Sequence, residues 1–403
     1  MAKQSYPIVS GVTRHPMMAL PTHDDHSRQL FAQSFMNEMN GSYGAGNKVL
    51  WDRKVRSQYV REHRREPEHV GDVRRALLRE PYTQYWSSLK RCAREMSYES
   101  VGPMVERQLP TLIDRARAYR TSNRRLGSLA LDPNLRAPRY VSAVHYHAKP
   151  GGYLSELTED DVFAGAEYDC TYFLTGTRPA LVGGKAEAEK TAARQRWGAY
   201  GPLGDGYAAA VGAWAEVEFP SFRPRRILDL GCTIGHNTLP WVDLYPRAEV
   251  YAIDVSAPCL RYAHARAEAL GRRVHFFQET AERTTFSDGY FDLVVSTMLL
   301  HELTVSVIHR IFAECFRLLA PNGLMLHADM GPAKDMDMLS QIFQLDWNTH
   351  FNAEPFITKL SELDLSDVAA KGGFATDDTF RGYAPSTQPG SSAKYHFFGA
   401  RRR

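Results

Sequence analysis

The chain has 403 residues, of which 43% are hydrophobic and 11% aromatic, enough apolar material for about two ordinary domains. A formal net charge of +3 is too small to indicate a nucleic-acid or anionic-membrane partner. The five cysteines form no C-x-x-C pair, so we expect neither a disulfide framework nor a zinc site. No signal-peptide pattern and no apolar run of membrane-spanning length is present, and we therefore expect a cytoplasmic protein.

The first 125 residues have a helical pattern. We predict five helices, the first ending at residue 40 and the others at 49–63, 73–78, 82–96 and 100–119. Asp25 or Ser27 can cap the first helix, and Pro110 predicts an interruption of the fifth. Charges of both signs alternate between residues 53 and 79, which indicates solvated helix faces. Residues 1–125 are therefore predicted to form a mainly helical N-terminal domain, with a possible role in forming a homodimer.

Residues 126–200 are predicted to be a connector or lid. Residues 138–147 have the pattern of a strand, and a capping pattern at 158–161 predicts a helix through Tyr172. On that strand His145 and His147 would share one face. No third metal ligand is fixed by the sequence, so we favour a structural or ligand-contacting role for them and expect no metal.

Residues 201–403 have the alternating pattern of an α/β fold. The apolar run 227–230 leads into a glycine turn, and a second apolar run, 250–253, ends on Asp254. Glycines of this kind let the backbone approach a nucleoside, and an acid at the second strand tip accepts hydrogen bonds from ribose hydroxyls. The spacing Asp229-x-Gly231-x-Thr233-x-Gly235 differs from the dinucleotide motif, because its opening acid would repel a pyrophosphate. That acid suits a ligand with a free α-amino group.

This run resembles motif I of the class I S-adenosylmethionine-dependent methyltransferases, with Thr233 at the position of the middle glycine. Further landmarks of that family follow in order: residues 274–282 resemble strand three and its adenine-contacting turn, residues 286–297 strand four, and residues 318–328 strand five. The resemblance covers about residues 190–400, roughly half of the chain. It implies a Rossmann-like, seven-stranded, doubly wound α/β sheet behind the helical N-terminal domain, with residues 201–403 as the cofactor-binding domain.

The resemblance also implies S-adenosyl-L-methionine as the cofactor. Asp254 would accept from both ribose hydroxyls, and Thr280 or its neighbour Glu279 would contact the adenine amino group, where the family usually has an acid. The residues implied to hold the cofactor lie in the glycine loop, at two strand tips and in the turn after strand three: Asp229, Gly231, Cys232, Gly235, Asn237, Asp254, Val255, Glu279, Thr280, Ala281 and Ser296.

Methyl transfer from a sulfonium is an in-line displacement, and a weakly acidic acceptor must also lose a proton. Plant-type O-methyltransferases have a His followed by an acid in a comparable region, so the resemblance implies His301 as the base, with Glu302 beside it. The alternative is that His301 packs or hydrogen-bonds beside the cofactor without taking a proton. The acceptor pocket is expected to involve the insert at 330–356 and these side chains: Tyr168, Tyr172, Tyr200, Trp347 and His350.

We therefore predict S-adenosylmethionine-dependent methyl transfer to a small organic metabolite, at oxygen. One alternative is an N-, C- or S-methyltransferase without a dedicated base. Another is a catalytically inactive, cofactor-binding regulatory protein, for which the departures at Thr233 and Thr280 leave room. Transfer to a nucleic acid is disfavoured, because residues 296–299 read Ser-Thr-Met-Leu where base-flipping enzymes have an Asn/Asp-Pro-Pro-Tyr motif.

Overall fold

The structure is a computed structural model that describes residues 15–174, 207–385 and 394–403; of residues 172–174 it describes the backbone. Its centre is a sheet of eight strands: Ser128–Ala130 (β1), Arg226–Leu230 (β2), Glu249–Asp254 (β3), His275–Gln278 (β4), Phe291–Thr297 (β5), Leu319–Ala328 (β6), Thr379–Pro385 (β7) and Lys394–Arg401 (β8). The strand order is β1-β4-β3-β2-β5-β6-β8-β7. Strands β1 to β6 pair in parallel, and β8 is antiparallel to both β6 and β7.

The α/β class and the helical N-terminal region are as predicted, but the sheet has eight strands rather than seven. The additional strand is β1, a three-residue segment that pairs with β4 at the edge of the sheet (Ser128 opposite His275). Just before β1 the backbone passes so close to the chain leading into β4 that a Cβ on Gly127 would lie 2.0 Å from the carbonyl oxygen of Val274. Three residues are too few to show a period in the sequence, which is why the pattern did not reveal this strand.

Helices cover both faces of the sheet. On one face the helices Tyr207–Glu218, Leu239–Leu244 and Ala257–Ala269 pack against alternate strand residues such as Ile227 and Val250. On the other face Val305–Leu318 and Leu365–Lys371 pack against Leu228 and Ile253. Successive strand residues point to opposite faces, so each strand contributes to both cores. This arrangement leaves the carboxyl ends of β2, β3 and β5 open at one edge.

The N-terminal region consists of the helices His23–Asn40, Ser42–Leu50, Arg56–His63, Val70–Leu77, Pro81–Glu99 and Gly102–Thr121, with a π-helical turn at Trp51–Val55. Thr22, rather than Asp25 or Ser27, caps the first helix: its side chain accepts from the N–H of Asp25, whose carboxylate accepts from the N–H of Thr22. The last helix continues without a break through Pro110, so the predicted interruption was wrong. Buried Leu109, Leu112 and Ile113 hold it against its neighbours.

The predicted strand at 138–147 was wrong. A short helix, Arg139–Ser142, and a 3-10 turn, Tyr146–Ala148, stand there instead. The aromatic residues of this segment anchor it on the rest of the protein, since the Tyr146 hydroxyl lies 2.7 Å from the carbonyl oxygens of both Tyr140 and Glu302. The helix that follows, Phe163–Leu174, agrees with the prediction.

The insert between β6 and β7 is helical, with short helices at Met338–Gln341, Trp347–Phe351 and Ile357–Ser361 and a π-helical turn at Ile342–Asp346. It packs on the N-terminal helices, where Trp347 lies against Trp86. No helix within the described ranges combines the length and the apolar composition that crossing a bilayer would require.

Within the connector, Lys149 and Glu167 form a buried ion pair between the segment after the turn Tyr146–Ala148 and the helix Phe163–Leu174. Their charged atoms lie 2.9 Å apart, and the Lys149 ammonium also donates to the carbonyl of Gly152 at 2.7 Å. We expect Lys149→Met to lower the free energy of unfolding by about 3–5 kcal/mol, because it leaves a buried carboxylate without its partner. Urea denaturation measures the change.

The double variant Lys149→Met/Glu167→Leu is the matched control and should recover most of that loss, since it removes both charges. Equal destabilisation of the single and double variants would mean that packing, and not the unpaired charge, sets the stability here.

Candidate active site

The glycine loop after β2 turns sharply against the tip of β5. Gly231 has a φ of 68°, and a Cβ at this position would lie 2.6 Å from a methyl carbon of Leu299. The N–H groups of Gly231 and Cys232 both donate to the carbonyl of Ile253, at 2.9 and 3.0 Å. Only glycine takes such a conformation without strain and leaves room for Leu299. The loop is thereby fixed beside the end of β3.

Asp254 ends β3 with its carboxylate at the cavity wall. One oxygen accepts from the N–H of Thr233 and the other from the N–H of Ser256, each at 2.9 Å. A carboxylate oxygen has two lone pairs, so both oxygens can accept further donors from a ligand. Burial raises the pKa of Asp254 to about 6, although the backbone hydrogen bonds act in the opposite direction.

Asp229 lies beneath the loop and does not line the cavity. It is buried and accepts from the hydroxyl of Thr238 at 2.6 Å. Burial raises the pKa of Asp229 to about 7; the Thr238 hydrogen bond opposes this shift, and the nearby Asp254 charge adds to it. In this structure Asp229, the acid that opens the motif, hydrogen-bonds Thr238 at the end of the glycine loop and does not face the cavity.

His301 follows β5 in the 3-10 turn Leu300–Glu302 and is buried. Its Nδ1 donates to Asp329 at 2.8 Å, and the second oxygen of Asp329 accepts from the N–H of Leu300 at 2.7 Å. Asp329 comes directly after β6, which runs parallel to β5 with Ala328 opposite Thr297. Neighbouring strand ends therefore bring the imidazole and the carboxylate together.

The same carboxylate determines the protonation of His301. Burial lowers the pKa of the imidazole, but the charge and hydrogen bond of Asp329, together with the charges of Glu302 and Glu354, outweigh burial and raise it to about 9. Without a ligand, His301 therefore carries a proton at neutral pH. The Nδ1 atom is committed to Asp329, which leaves Nε2 for chemistry in the cavity.

A second histidine, His147, stands opposite His301. Its Nδ1 lies 2.9 Å from Glu354 Oε1, and its Nε2 lies 3.0 Å from the Tyr153 hydroxyl and 3.3 Å from Glu302 Oε1. The Tyr153 hydroxyl in turn donates to Glu302 at 2.7 Å. The pKa of Glu354 is lowered to about 2, because His147, His301 and Arg94 more than offset the effect of its burial.

These strand tips and loops enclose a cavity with about 1200 Å³ of empty space that opens to solvent. It brings together most of the predicted residues: Gly231, Cys232, Asn237, Asp254, Val255, Glu279, Ala281, His301, Glu302 and Tyr168. Thr280 is half-buried between two of them. Gly235 and Ser296 lie behind the wall, where the Ser296 hydroxyl is 2.6 Å from Nδ1 of His327, and the next residues, Thr297 and Met298, face the cavity.

Two predicted acceptor contacts lie away from the cavity. Trp347 donates its indole N–H to the Ser87 hydroxyl at 2.9 Å, and His350 lies beside Asp346 and Arg74. Both fill the contact between the insert and the N-terminal helices, because the apolar face of the insert packs there. The Tyr172 side chain and Tyr200 lie outside the described residues.

Several cavity residues were missed: Tyr140, Val141, Tyr153, Tyr207, Leu299 and Leu303. His147, for which a structural or ligand-contacting role was predicted, also lines the cavity. Asp329 was missed too, although a signal existed, since it directly follows a predicted strand that neighbours the one before His301. No local signal exists for Tyr153, which is held over the cavity by the Ser256 hydroxyl donating to its carbonyl at 2.6 Å. Among the described residues, no group of three or more His, Cys, Asp or Glu side chains has the geometry of a metal site.

Comparison with known proteins gives a family for this site. Residues 227–323 match the family model described as a methyltransferase domain. Malonyl-[acyl-carrier protein] O-methyltransferase of Geobacter sulfurreducens is 38% identical over 110 residues, which are 27% of this chain and 39% of that protein. Demethylmenaquinone methyltransferase of Thermus thermophilus is 34% identical over 109 residues, which are 27% of this chain and 49% of that protein.

A second malonyl-[acyl-carrier protein] O-methyltransferase, from Legionella pneumophila, is 29% identical over 117 residues, 29% of this chain and 40% of that protein. The chain thus spans less than half the length of these three relatives. The matched part contains β2 to β5, the glycine loop, Asp254 and His301. The chain carries a domain of the class I S-adenosylmethionine-dependent methyltransferases, and S-adenosyl-L-methionine is the cofactor of that class.

The residues at the cavity fit this cofactor. Asp254 is a half-buried carboxylate with lone pairs left for two hydroxyl donors, as a ribose requires. The glycine loop presents backbone within reach of a ligand, and Glu279 and Ala281 line the wall that follows β4. The fit therefore rests on the donors and acceptors at the strand tips.

Proposed function

We propose that the protein transfers the methyl group of S-adenosyl-L-methionine to a hydroxyl of a small organic acceptor, with His301 as the base that removes the hydroxyl proton. The observation that carries the proposal is the His301–Asp329 pair, which opens on the same cavity as Asp254 and the glycine loop. Two of the three relatives described above have O-methyltransferase in their names, which supports oxygen as the accepting atom.

The geometry supports a base for two reasons. Asp329 holds Nδ1, so the ring is fixed in the tautomer that leaves Nε2 as the proton-accepting nitrogen once His301 is neutral. A pKa of about 9 also makes the neutral imidazole a stronger base than an ordinary histidine. The bound cofactor supplies a sulfonium, whose positive charge favours the neutral form of a nearby imidazole.

The acceptor side of the cavity is lined by tyrosines and carboxylates. Tyr140, Tyr153 and Tyr168 offer flat apolar surface with hydroxyl groups at the edges, which suits an aromatic or otherwise bulky acceptor. The connector, residues 126–200, is proposed to close this side of the cavity, as the positions of its residues His147 and Tyr153 support. The helical domain of residues 1–125 is proposed as a cap behind it.

Transfer of labelled methyl from S-adenosyl-L-methionine to a panel of phenols, alcohols, amines and thiols tests the proposal. We expect labelled methyl ethers, with transfer strongly reduced in His301→Gln and binding of S-adenosylhomocysteine retained. Transfer to amines or thiols at a rate that His301→Gln leaves unchanged would favour a methyltransferase without a dedicated base. Cofactor binding without transfer to any acceptor class would favour the regulatory protein.

A further inference from the structure

The reaction proposed above leaves a proton inside the protein. In that reaction the O–H bond of the acceptor would break as its proton moves to Nε2 of His301, and the bound cofactor would supply the methyl group to the acceptor oxygen, with the electron pair of the broken carbon–sulfur bond left on sulfur. His301 must lose this proton before the next turnover. Asp329, Glu302 and Glu354 all stabilise the imidazolium, so the proton needs a path from His301 to water.

Two carboxylates connect His301 with the second histidine. Glu354 has Oε2 4.0 Å from Nε2 of His301 and Oε1 2.9 Å from Nδ1 of His147. Glu302 Oε1 lies 4.0 Å from the same nitrogen of His301 and 3.3 Å from Nε2 of His147. Each carboxylate thus faces both imidazoles, and a single water can bridge the two gaps of 4.0 Å.

We propose that His147 is the proton exit of this site: it takes the proton of His301 through Glu354 and Glu302 and passes it to water in the open cavity. The bridging water takes the proton from Nε2 of His301 across the 4.0 Å gap and gives one of its own to the carboxylate. The proton then passes from Glu354 Oε1 to Nδ1 of His147 at 2.9 Å, and the imidazole releases its other proton, from Nε2, so that no reactant is consumed. His147 lines the cavity that opens to solvent. The inference rests on the proposed role of His301 as the base and goes beyond it.

The backbone supports a specific role for His147. Its φ is 57° and that of Ala148 is 58°, a left-handed conformation that costs free energy for residues with a Cβ. The surrounding structure holds the turn in place: the Tyr146 hydroxyl contacts the carbonyl of Glu302, and the buried Lys149 binds the carbonyl of Gly152. Strained residues of this kind concentrate at functional sites.

Other charged groups face the relay. Asp329 contacts His301, and Asn352 donates to Glu354 at 2.6 Å. Arg94 and Lys90, both from the helix Pro81–Glu99, add positive charge near Glu354. They keep Glu354 ionised at rest, so the carboxylate can accept a proton only briefly, as an intermediate carrier requires.

The test measures proton exchange and needs no acceptor. In protein labelled with ¹⁵N-histidine and bound to S-adenosylhomocysteine, NMR at neutral pH reports the rate at which the Nε2 proton of His301 exchanges with water. His147→Asn removes the exit while keeping the turn, because asparagine tolerates the left-handed conformation. We expect exchange about a hundredfold slower, the low end of what one positioned proton carrier contributes. His145→Asn, an exposed histidine two residues away, is the control and should exchange like the wild type.

Glu354→Gln provides a second variant, which interrupts the relay and leaves His147 in place; it should also slow the exchange. Wild-type exchange rates in both variants would overturn the proposal, since the proton would then leave His301 directly for cavity water. Loss of the raised His301 pKa together with faster exchange would also overturn it, because His147 would then act only through charge. Failure of the base role appears separately, as unchanged turnover in His301→Gln.

Discussion

Replacement of Asp254 with asparagine should weaken binding of S-adenosylhomocysteine by roughly a hundredfold, about 3 kcal/mol, which two hydrogen bonds to an ionised group can supply. Asp254 is the half-buried acceptor at the β3 tip, and its two oxygens each keep a lone pair beyond those used by Thr233 and Ser256. Asparagine retains one acceptor and has no charge, so it cannot accept from both ribose hydroxyls. Isothermal titration calorimetry measures the loss.

The pH dependence gives a second readout of the same carboxylate. Burial raises the pKa of Asp254 to about 6 in the ligand-free protein. The ligand prefers the ionised form of Asp254, so binding lowers the pKa of this carboxyl group. The affinity for the ligand reaches its maximum at pH values above the pKa of the ligand-free protein. Below about pH 6 the affinity should fall roughly tenfold for each pH unit, as one proton must be displaced. In Asp254→Asn that dependence should disappear.

Asp377→Asn serves as the control, since Asp377 is exposed and far along the chain in the 3-10 turn before β7. It should bind like the wild type at every pH. Wild-type affinity in Asp254→Asn would show that the cavity does not hold a ribose at this carboxylate, and the proposed function would lose its cofactor site.

The parts of the site that could be predicted from the sequence are those whose residues lie within a short continuous stretch of the chain. The glycine spacing and the acid that ends the next apolar run identified Gly231 and Asp254, because Gly231 directly follows β2 and Asp254 ends β3, its parallel neighbour. His301 came instead from the resemblance to plant-type O-methyltransferases, and it lies in the 3-10 turn that follows the end of β5. Strand tips in a parallel sheet meet at one edge, so a short local pattern is enough to place them together.

The parts that could not be predicted depend on contacts between distant segments. Glu354 reaches His147 across 207 positions of the chain, and Tyr153 is fixed by Ser256 across 103. Nothing in either local pattern specifies such a contact. The same reason explains why Trp347 and His350 were wrongly assigned to the acceptor pocket. Aromatic and polar residues at helical spacing do not indicate which side of a helix faces a cavity and which faces a neighbouring helix.

The error at residues 138–147 has a related cause. Alternating aromatic and small residues favour a strand in isolation, but the segment after Pro138 forms the short helix Arg139–Ser142. The Tyr146 hydroxyl then binds the loop that carries Glu302. This tertiary contact fixes the segment across the cavity, where no sheet edge is available, and so places His147 beside the carboxylates.

Replacement of His301 with glutamine is expected to lower turnover by roughly a hundredfold to ten-thousandfold, the range for removal of a positioned general base. Binding of S-adenosylhomocysteine should remain, because Asp254 and the glycine loop are unchanged. In the wild type the free imidazole is the active form, and its pKa is about 9 without ligand. The rate should therefore rise with pH and level off once His301 is neutral, at a lower pH when the positively charged cofactor is bound.

Asp329→Asn separates the charge of the pair from its geometry. Asp329 is the largest of the groups that raise the pKa of His301, so its replacement should move the rising limb of the pH–rate profile to lower pH. The plateau should fall as well, because the neutral imidazole is then a weaker base and its ring is held less firmly. Asp335→Asn, in the exposed turn just after β6, is the matched control and should keep the wild-type profile. The contradicting result would be a rate that does not change with pH over the range in which His301 loses its proton, in both the wild type and Asp329→Asn. That result would exclude His301 as the base. The acceptor would then be one that reacts without a base.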